Sequence, residues 1–350
     1  MDVTDILKRL SEADGIAGFE EPVRNVIREA WQPLVDDLRV DGMGNLIGYK
    51  RGTAPEPAPK LMLAAHMDEI GLIVTGIEKG FIRITRVGGT DRRVLLGQEV
   101  VVHGERDLPG VVAARPPHVL PPAERTKTVA WDDLFVDVGL PAAEVGRLVQ
   151  VGDQISFRAE VATLKNHRIA GKAFDDRACV TVVTLALEQI AQVAHVWDVI
   201  AVATVQEERG LKGAMTSAHG VAPDLAIALD VTFAAQPSTA DVDTVPLGKG
   251  PSIGVGPNFH PILAKRLRDI GDAHEIPYHV EAIPGGSGTD AWAIQVSRAG
   301  VPTALISIPL RYMHQPVELL DTRDVERAAR WLVAFIGELK ADFLDSIALT

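Results

Sequence analysis

Acidic and imidazole side chains follow several apolar runs of this sequence, and side chains of these types bind metal ions and transfer protons. The first run spans residues 60–65 and ends in His66, Met67, Asp68 and Glu69. A short apolar run bounded by turn residues is typical of a strand buried on both faces. Because alternate side chains leave a strand on the same side, His66 and Asp68 are predicted to project together. A strand end that turns into solvent would also explain this stretch. The other apolar runs of the chain are therefore needed to choose between a functional site and an exposed strand end.

Three further apolar runs end in the same way. Glu207 and Glu208 follow one of them, and Asp230 ends the next. The last run leads through a short loop to His314, and an additional acidic pair at positions 175–176 precedes a predicted helix. Carboxylates gathered from these places within one domain would repel each other and destabilise the fold. A bound cation is the natural compensation.

The available ligand types narrow the choice of metal. Two imidazoles with several carboxylates and no thiolate suit Zn²⁺, Co²⁺ or Mn²⁺. One cation needs three or four ligands, so at least five candidates are enough for two cations that share a carboxylate. Such a pair activates a water and polarises a carbonyl, while a carboxylate that is not a ligand takes the proton. The adjacent Glu207 and Glu208 can divide these tasks, and Asp68 can reach the second nitrogen of His66.

The segments that must position these side chains show two kinds of sequence pattern along the chain. Residues 1–71 and 166–350 alternate helical patterns with buried strands, which is typical of an α/β domain. Residues 72–165 instead carry short strand-like runs separated by turns, which indicates a small β-barrel or sandwich inserted into that domain. Within the insert, residues 115–127 are predicted to form a long loop. In α/β folds the chemistry lies at the carboxyl ends of parallel strands, where these side chains are predicted.

Composition excludes several classes of protein. The chain has 350 residues and a net charge of −12, which argues against nucleic acid or an anionic membrane surface as its main partner. No apolar run approaches the ~20 residues that cross a bilayer, and the first residues show no signal-peptide pattern, so a cytoplasmic location is expected. The single cysteine, Cys179, excludes an internal disulfide and a thiolate zinc knuckle.

Seven short motifs, in this order, resemble the M42 metallopeptidases, a family of glutamyl and deblocking aminopeptidases whose members form tetrahedral dodecamers. Each motif is weak by itself, but the ordered set is specific and spans nearly the whole chain. The motifs lie at residues 15–20, 65–71, 172–177, 207–214, 228–232, 288–291 and 311–314.

The resemblance implies a fold and a set of roles. The fold is a three-layer αβα metallopeptidase domain with an inserted PDZ-like β-barrel, which matches residues 72–165 and serves oligomer contacts. The cofactors are two divalent metal ions, Zn²⁺ or Co²⁺, or else Mn²⁺. Glu207 is the implied general base, and Asp68 orients His66. The implied metal ligands are His66, Asp175 as the bridging residue, Glu208, Asp230 and His314.

The site residues and the resemblance together predict a dinuclear metal-dependent aminopeptidase that removes N-terminal residues from short peptides. The resemblance alone implies that the protein self-associates as a homododecamer. One alternative is an endoglucanase-like glycoside hydrolase, which needs two carboxylates and no metal, so that the two imidazoles would be unexplained. A second alternative is a non-catalytic binding protein on the same fold. Such a protein would be expected to lose the base or a ligand, whereas all of them are present.

Several positions stay open at this level. Asp176 is an alternative to Asp175 as a ligand, and His260 follows a glycine-rich stretch that lies near the site in the family. Asp290 is either a structural loop carboxylate or part of the substrate pocket. Arg209 departs from the family, where a small or aliphatic residue is expected after the paired glutamates, and adds a cation beside the base. The preferred N-terminal residue of the substrate does not follow from the sequence.

Overall fold

A computed structural model describes residues 1–240 and 244–349. The helices are α1 (Val3–Glu12), α2 (Glu21–Trp31), α3 (Ala142–Leu148), α4 (Phe174–Ile190), α5 (Lys212–Val221), α6 (Pro261–Ala273), α7 (Asp290–Ile294), α8 (Thr322–Glu338) and α9 (Phe343–Ile347). The strands are β1 (Asp37–Val40), β2 (Leu46–Lys50), β3 (Lys60–His66), β4 (Gly71–Glu78), β5 (Phe81–Val87), β6 (Glu99–His103), β7 (Asp107–Ala113), β8 (Phe135–Asp137), β9 (Gln154–Phe157), β10 (Ala162–Thr163), β11 (Arg168–Gly171), β12 (Asp198–Thr204), β13 (Leu225–Phe233), β14 (Ser252–Val255), β15 (His279–Ala282), β16 (Thr303–Leu310) and β17 (Glu318–Asp321). None of the helices within the described residues combines the length and apolarity that a membrane crossing requires.

An eight-stranded sheet forms the centre of the α/β part, in the order β1-β2-β12-β3-β13-β16-β14-β15. Its middle strands β12, β3, β13 and β16 are parallel neighbours. These strands are apolar along nearly their whole length because helices cover both faces of the sheet. Their carboxyl ends therefore leave the sheet at one edge, where Thr204 of β12 pairs in register with His66 of β3.

Strand β3 shows how one strand serves two helical layers. Leu61, Leu63 and Ala65 belong to the apolar core that includes α1, α2, α4 and α8. Met62 and Ala64 point the other way, into the core that includes α5 and α7. This alternation is the two-residue period of a strand. The predicted three-layer αβα arrangement is confirmed.

A closed barrel of six strands, in the order β4-β5-β8-β7-β6-β9, interrupts the α/β part. It has an apolar core of its own, which includes Leu72, Val74, Ile82, Val100 and Ile155. The inserted barrel is therefore confirmed, and a sandwich is not what forms. Between β7 and β8 the chain carries only short 3₁₀ turns, in agreement with the predicted loop. The predicted domain limits, residues 72 and 165, remain a prediction.

A buried ion cluster fastens the places where the chain leaves and re-enters the α/β part. Glu69, just after β3, accepts hydrogen bonds from Lys172 Nζ at 2.7 Å and from Arg177 Nη2 at 3.1 Å. The same carboxylate accepts the backbone N–H of Gly15 at 3.1 Å. Arg177 also donates to backbone carbonyls at the end of α1, including that of Leu10 at 2.8 Å. Buried charges are tolerated when they are paired and hydrogen-bonded in this way, so the cluster holds β3 and α4 in a fixed relation.

Candidate metal centre

The side chains predicted to form a site meet at the carboxyl edge of the parallel strands. His66 is the last residue of β3, and Asp230 lies in the neighbouring strand β13. Glu207 and Glu208 follow β12, and His314 lies beyond the end of β16. Asp175 comes from the first turn of α4, where the backbone angles of residues 175 and 176 are not helical. All of the predicted site residues are thus brought together from five separate segments.

Two groups of potential metal donors share one carboxylate. His66, Asp175 and Asp230 each offer a donor atom, and these atoms lie within 4.8 Å of one another. Asp175, Glu208 and His314 form a second group with the same spacing. The Oδ1 atom of Asp175 lies 3.1 Å from His66 Nε2, whereas its Oδ2 atom lies 3.2 Å from His314 Nε2. One oxygen of Asp175 therefore faces each group.

The donors fit divalent cations of the zinc type. Each group contains one imidazole and two carboxylates, a set that suits Zn²⁺, Co²⁺ or Mn²⁺. The backbone carbonyl of Asp68 lies 3.0 Å from His66 Nδ1. A carbonyl oxygen only accepts, so Nδ1 carries a hydrogen and Nε2 faces the donor group. In the neutral ring, Nε2 would therefore carry the lone pair that binds a metal.

Crowding perturbs the titration of these groups. Burial, together with the charge of Asp175, raises the pKa of Glu208 to about 7. A hydrogen bond to Asp175 raises the pKa of His314 to about 9, against the opposing effect of burial. Burial opposes the ionisation of Asp175, yet hydrogen bonds from His314 and His66 lower its pKa. Burial also raises the pKa of Glu207. The raised pKa values favour the protonated forms of these groups, which reduces the negative charge of the centre as bound cations also would.

Asp68 lies behind the two glutamates. Its fully buried carboxylate accepts the backbone N–H of Glu207 at 3.0 Å and that of Glu208 at 3.1 Å. Its Oδ1 atom lies 3.6 Å from His66 Nδ1, farther away than the backbone carbonyl of the same residue. The carboxylate of Asp68 therefore fixes the backbone of the glutamate pair, while its carbonyl is the nearer partner of the histidine. The predicted role of Asp68 in orienting His66 stays a prediction.

Asp176 takes no part in either donor group. Its Oδ2 atom accepts the backbone N–H of His66 at 3.2 Å, and its Oδ1 atom has no partner within residues 1–240 and 244–349. The carboxylate is completely buried, and burial raises its pKa well above the usual range. Among the described residues it is Asp175, not Asp176, that faces both groups of donors.

The structure shows a different environment for each of the other positions that the sequence left open. His260 caps the N-terminus of α6, where its ring accepts the backbone N–H of Leu263 at 3.3 Å, and it lines a cavity that contains none of the donors. Asp290 is buried at the start of α7, and its Oδ2 atom accepts the hydroxyl of Thr204 at 2.5 Å. Burial raises the pKa of Asp290 to about 6. Arg209 is exposed beside the glutamate pair.

Two glutamates that hold the backbone near the site were not predicted as site residues from the sequence. Glu318, buried at the start of β17, accepts the backbone N–H of Asp175 at 3.0 Å and that of His314 at 3.1 Å. Glu20 accepts the backbone N–H of Gly18 at 2.6 Å and that of Gln206 at 3.2 Å. Glu20 lies inside the first motif, which is a usable signal. The segment around Glu318 carries no comparable pattern.

The barrel reaches the metal centre through two glycines that follow β5. A Cβ atom on Gly88 would lie 2.9 Å from Glu208 Oε2, and one on Gly89 would clash with the ring of His314. Gly88 also has a φ of +77°, a conformation that side chains disfavour. Only glycine therefore allows the barrel backbone to approach the donors this closely.

Two cavities adjoin the donors. The small cavity has a volume of about 230 Å³. Its lining includes His66, Asp230, Phe233, Glu281, Ile283 and Met313. The wide cavity has a volume of about 700 Å³ and shares only Glu207, Glu208 and His314 with the centre. Its other lining includes Arg86, Arg209, Leu211, Met215, Trp292 and Val296. The centre is thus accessible from a narrow side and a broad side.

A second arrangement of catalytic residue types lies in the barrel. His103 Nε2 lies 2.8 Å from Ser156 Oγ, and its Nδ1 atom lies 2.8 Å from Asp107 Oδ1, the order of a serine-hydrolase triad. Ser156 is completely buried, so no substrate reaches its hydroxyl. The burial of Ser156 therefore indicates a structural role for this arrangement.

The fold and the paired donor groups define a hydrolase of the metallopeptidase class. A sequence profile described as M42 glutamyl aminopeptidase matches residues 44–331. A lysyl aminopeptidase of Pyrococcus furiosus is 37% identical over 342 residues, which cover 96% of this chain and 97% of that protein. The chain belongs to the M42 peptidase family and is an aminopeptidase, and this family implies divalent metal ions.

Solved structures give the same result for the fold. A TET aminopeptidase from the marine sediment archaeon Thaumarchaeota archaeon SCGC AB-539-E09 superposes with a TM-score of 0.94 at 34% identity, covering 99% of both chains. The TET1 peptidase of Pyrococcus horikoshii, which assembles into a tetrahedron or a large octahedral shell, superposes with a TM-score of 0.85 at 33% identity. That match covers 97% of this chain and 100% of the other. The resemblance drawn from the seven motifs is confirmed.

Proposed function

We propose that this protein is a dinuclear metal-dependent aminopeptidase that removes N-terminal residues from short peptides. The observation that carries the proposal is the pair of donor groups joined by Asp175. His66 and Asp230 would hold one cation with Asp175, and Glu208 and His314 would hold the other. Zn²⁺ or Co²⁺, or else Mn²⁺, suits these donors.

Glu207 is the residue left to transfer the proton. It belongs to neither donor group of the described residues, yet its Oε2 atom lies 3.9 Å from His66 Nε2, beside the first group. When bound, the two cations would lower the pKa of a water and polarise the scissile carbonyl. Glu207 would take the proton of that water and return it to the departing amine. Asp68 supports this role because it fixes the backbone N–H groups of both glutamates.

The two cavities suggest how a peptide lies in the site. The small cavity, of about 230 Å³, suits a single side chain and contains the donors of the first group. The wide cavity, of about 700 Å³, leaves room for the rest of a peptide. We therefore place the N-terminal side chain in the small cavity and the departing peptide in the wide one.

The two alternatives predicted from the sequence receive less support. An endoglucanase-like glycoside hydrolase needs two carboxylates across a sugar bond and no metal, whereas here Asp175 is shared between two imidazoles. A non-catalytic binding protein would not need to keep Glu207 beside two complete donor groups. The presence of Glu207 together with two complete donor groups therefore favours a peptidase.

Removal of the metal tests the proposal. Stringent chelation is expected to reduce hydrolysis of aminoacyl chromogenic substrates to background, and addition of Zn²⁺, Co²⁺ or Mn²⁺ is expected to restore it, because the water is activated only with cations bound. Rates and metal content would be measured on the same samples, with a cellulose-type substrate as the control for the glycosidase alternative. Full peptidase activity in metal-free protein would contradict the proposal.

Assembly forms a further part of the proposed function. The related TET1 peptidase assembles into closed shells, and the barrel of this chain exposes apolar side chains such as Val111 and Val151. We propose a homododecamer with the barrel in its contacts. Light scattering is expected to give a mass near twelve times the 37.6 kDa of one chain. A monomer at micromolar concentration would contradict the proposed assembly and leave the chemistry of the site untouched.

A further inference from the structure

The wide cavity contains two arginines without partners. Arg86 lies on β5 of the barrel, and Arg209 follows the glutamate pair. Within residues 1–240 and 244–349, neither guanidinium makes an ion pair or a side-chain hydrogen bond. Both side chains are exposed. The same cavity is lined by Glu207 and Glu208, but neither of these carboxylates pairs with Arg86 or Arg209 in the part of the chain that the structure describes.

Apart from glycines and the three residues shared with the centre, the rest of the lining is apolar, and several of its side chains are strongly exposed. Trp292 is 49% exposed and Val296 is 71% exposed. Leu211 and Met215 line the same cavity, and Met215 is 52% exposed. Apolar side chains left open beside a catalytic centre mark a binding surface. The wide cavity therefore combines an apolar surface with two arginine side chains.

Among the groups that a peptide carries, the one that fits two unpaired guanidinium groups is a carboxylate. Arginine binds carboxylates in a bidentate manner, with bonds stronger than those between neutral groups. Short peptides carry such a group close to the reacting bond, because one extended residue spans only about 3.5 Å. In a dipeptide the terminal carboxylate belongs to the departing residue itself, which the wide cavity receives under the proposed function.

We propose that Arg86 and Arg209 bind a carboxylate of the departing part of the peptide, over the apolar surface formed by Leu211, Met215 and Trp292. This inference rests on the proposed function. The carboxylate has two possible sources with the same chemistry, the C-terminus of a very short peptide and an acidic side chain at the second position. Specificity for the departing side of the substrate is thereby assigned to Arg86 and Arg209.

Matched substrate pairs test the proposal and separate the two sources. The first pair is Leu-Leu and Leu-Leu amide, which differ only in the terminal carboxylate. The second pair is Leu-Glu amide and Leu-Gln amide, which differ only in the side-chain carboxylate. The ratio of kcat/KM within each pair would be measured for the wild type, Arg86→Gln, Arg209→Gln and the double variant. Arg39→Gln is the control, because Arg39 is also an exposed arginine on a strand but lies outside the wide cavity.

The wild type is expected to prefer the carboxylate-bearing member of at least one pair by about tenfold, and the double variant is expected to lose this preference. The change is expected mainly in KM, and added salt is expected to weaken the wild-type preference. Arg39→Gln is expected to keep the wild-type ratios. Ratios unaffected by both arginine substitutions would overturn the inference, as would a wild-type preference for the uncharged members. An inactive wild type with all metals would contradict the proposed function instead, so the two failures are distinguishable.

Discussion

Replacement of Glu207 by glutamine is expected to lower kcat for peptide hydrolysis by roughly 10²- to 10⁴-fold, the usual contribution of a positioned general base. The amide has the shape of the carboxylate but does not accept the proton of the attacking water. KM is expected to change little, because Glu207 belongs to neither donor group of the described residues. Steady-state kinetics on an aminoacyl substrate, with excess metal, would measure both constants.

The neighbouring Glu208 provides the matched control for this experiment. Glu207→Gln is expected to keep its metal content and its melting temperature, since its backbone N–H still donates to Asp68. Glu208→Gln alters a donor of the second group and is expected to weaken metal binding. The two adjacent positions would then separate a loss of proton transfer from a loss of metal. A Glu207→Gln protein with kcat close to that of the wild type would exclude Glu207 as the base.

Replacement of Asp175 by alanine is expected to remove both cations together and to reduce activity to background. Asp175 is the residue common to the two donor groups, with one oxygen toward each. Without it, each group of the described residues retains one imidazole and one carboxylate, fewer than the three or four protein ligands such sites use. Elemental analysis after dialysis would measure the number of ions per chain.

Asp230→Ala is the comparison variant, because Asp230 belongs to the first group only. It is expected to lose the cation of the first group and to retain much of the second. Asp175→Asn, which preserves the volume of the side chain, covers the case in which alanine disturbs the fold, and circular dichroism would monitor folding for each variant. Two ions per chain in dialysed Asp175→Ala and Asp175→Asn would contradict the bridging role.

The sequence predicted the parts of the site that depend on a single element. His66 follows an apolar run, and the two-residue period of a strand placed its side chain at the sheet edge. Asp230 was also predicted at the end of a strand, but β13 continues to Phe233, so Asp230 lies within the strand. The barrel was predictable because its short strand-like runs, separated by turns, differ from the alternating helical and strand patterns of the α/β segments. Local pattern is sufficient in these cases because burial and periodicity are properties of one segment.

The remaining features depend on contacts between distant segments, which no local pattern specifies. Glu318 joins the backbones of residues 175 and 314, yet nothing in its own neighbourhood marks it. The nearer contact of His66 Nδ1 is a backbone carbonyl, which carries no sequence signal. His260 shows the converse, because its place beside a glycine-rich stretch is explained by a helix cap rather than by the site.

The glycines that follow β5 give the inserted barrel a further meaning. Gly88 and Gly89 bring the barrel backbone against Glu208 and His314, the two donors that only the second group contains. The insert is therefore not a detachable module, because its removal would uncover one side of the catalytic centre. A rigid-body displacement of the barrel would alter the surroundings of the second donor group before those of the first. In the proposed assembly, contacts between chains at the barrel would act on the second donor group through two residues that have no side chains.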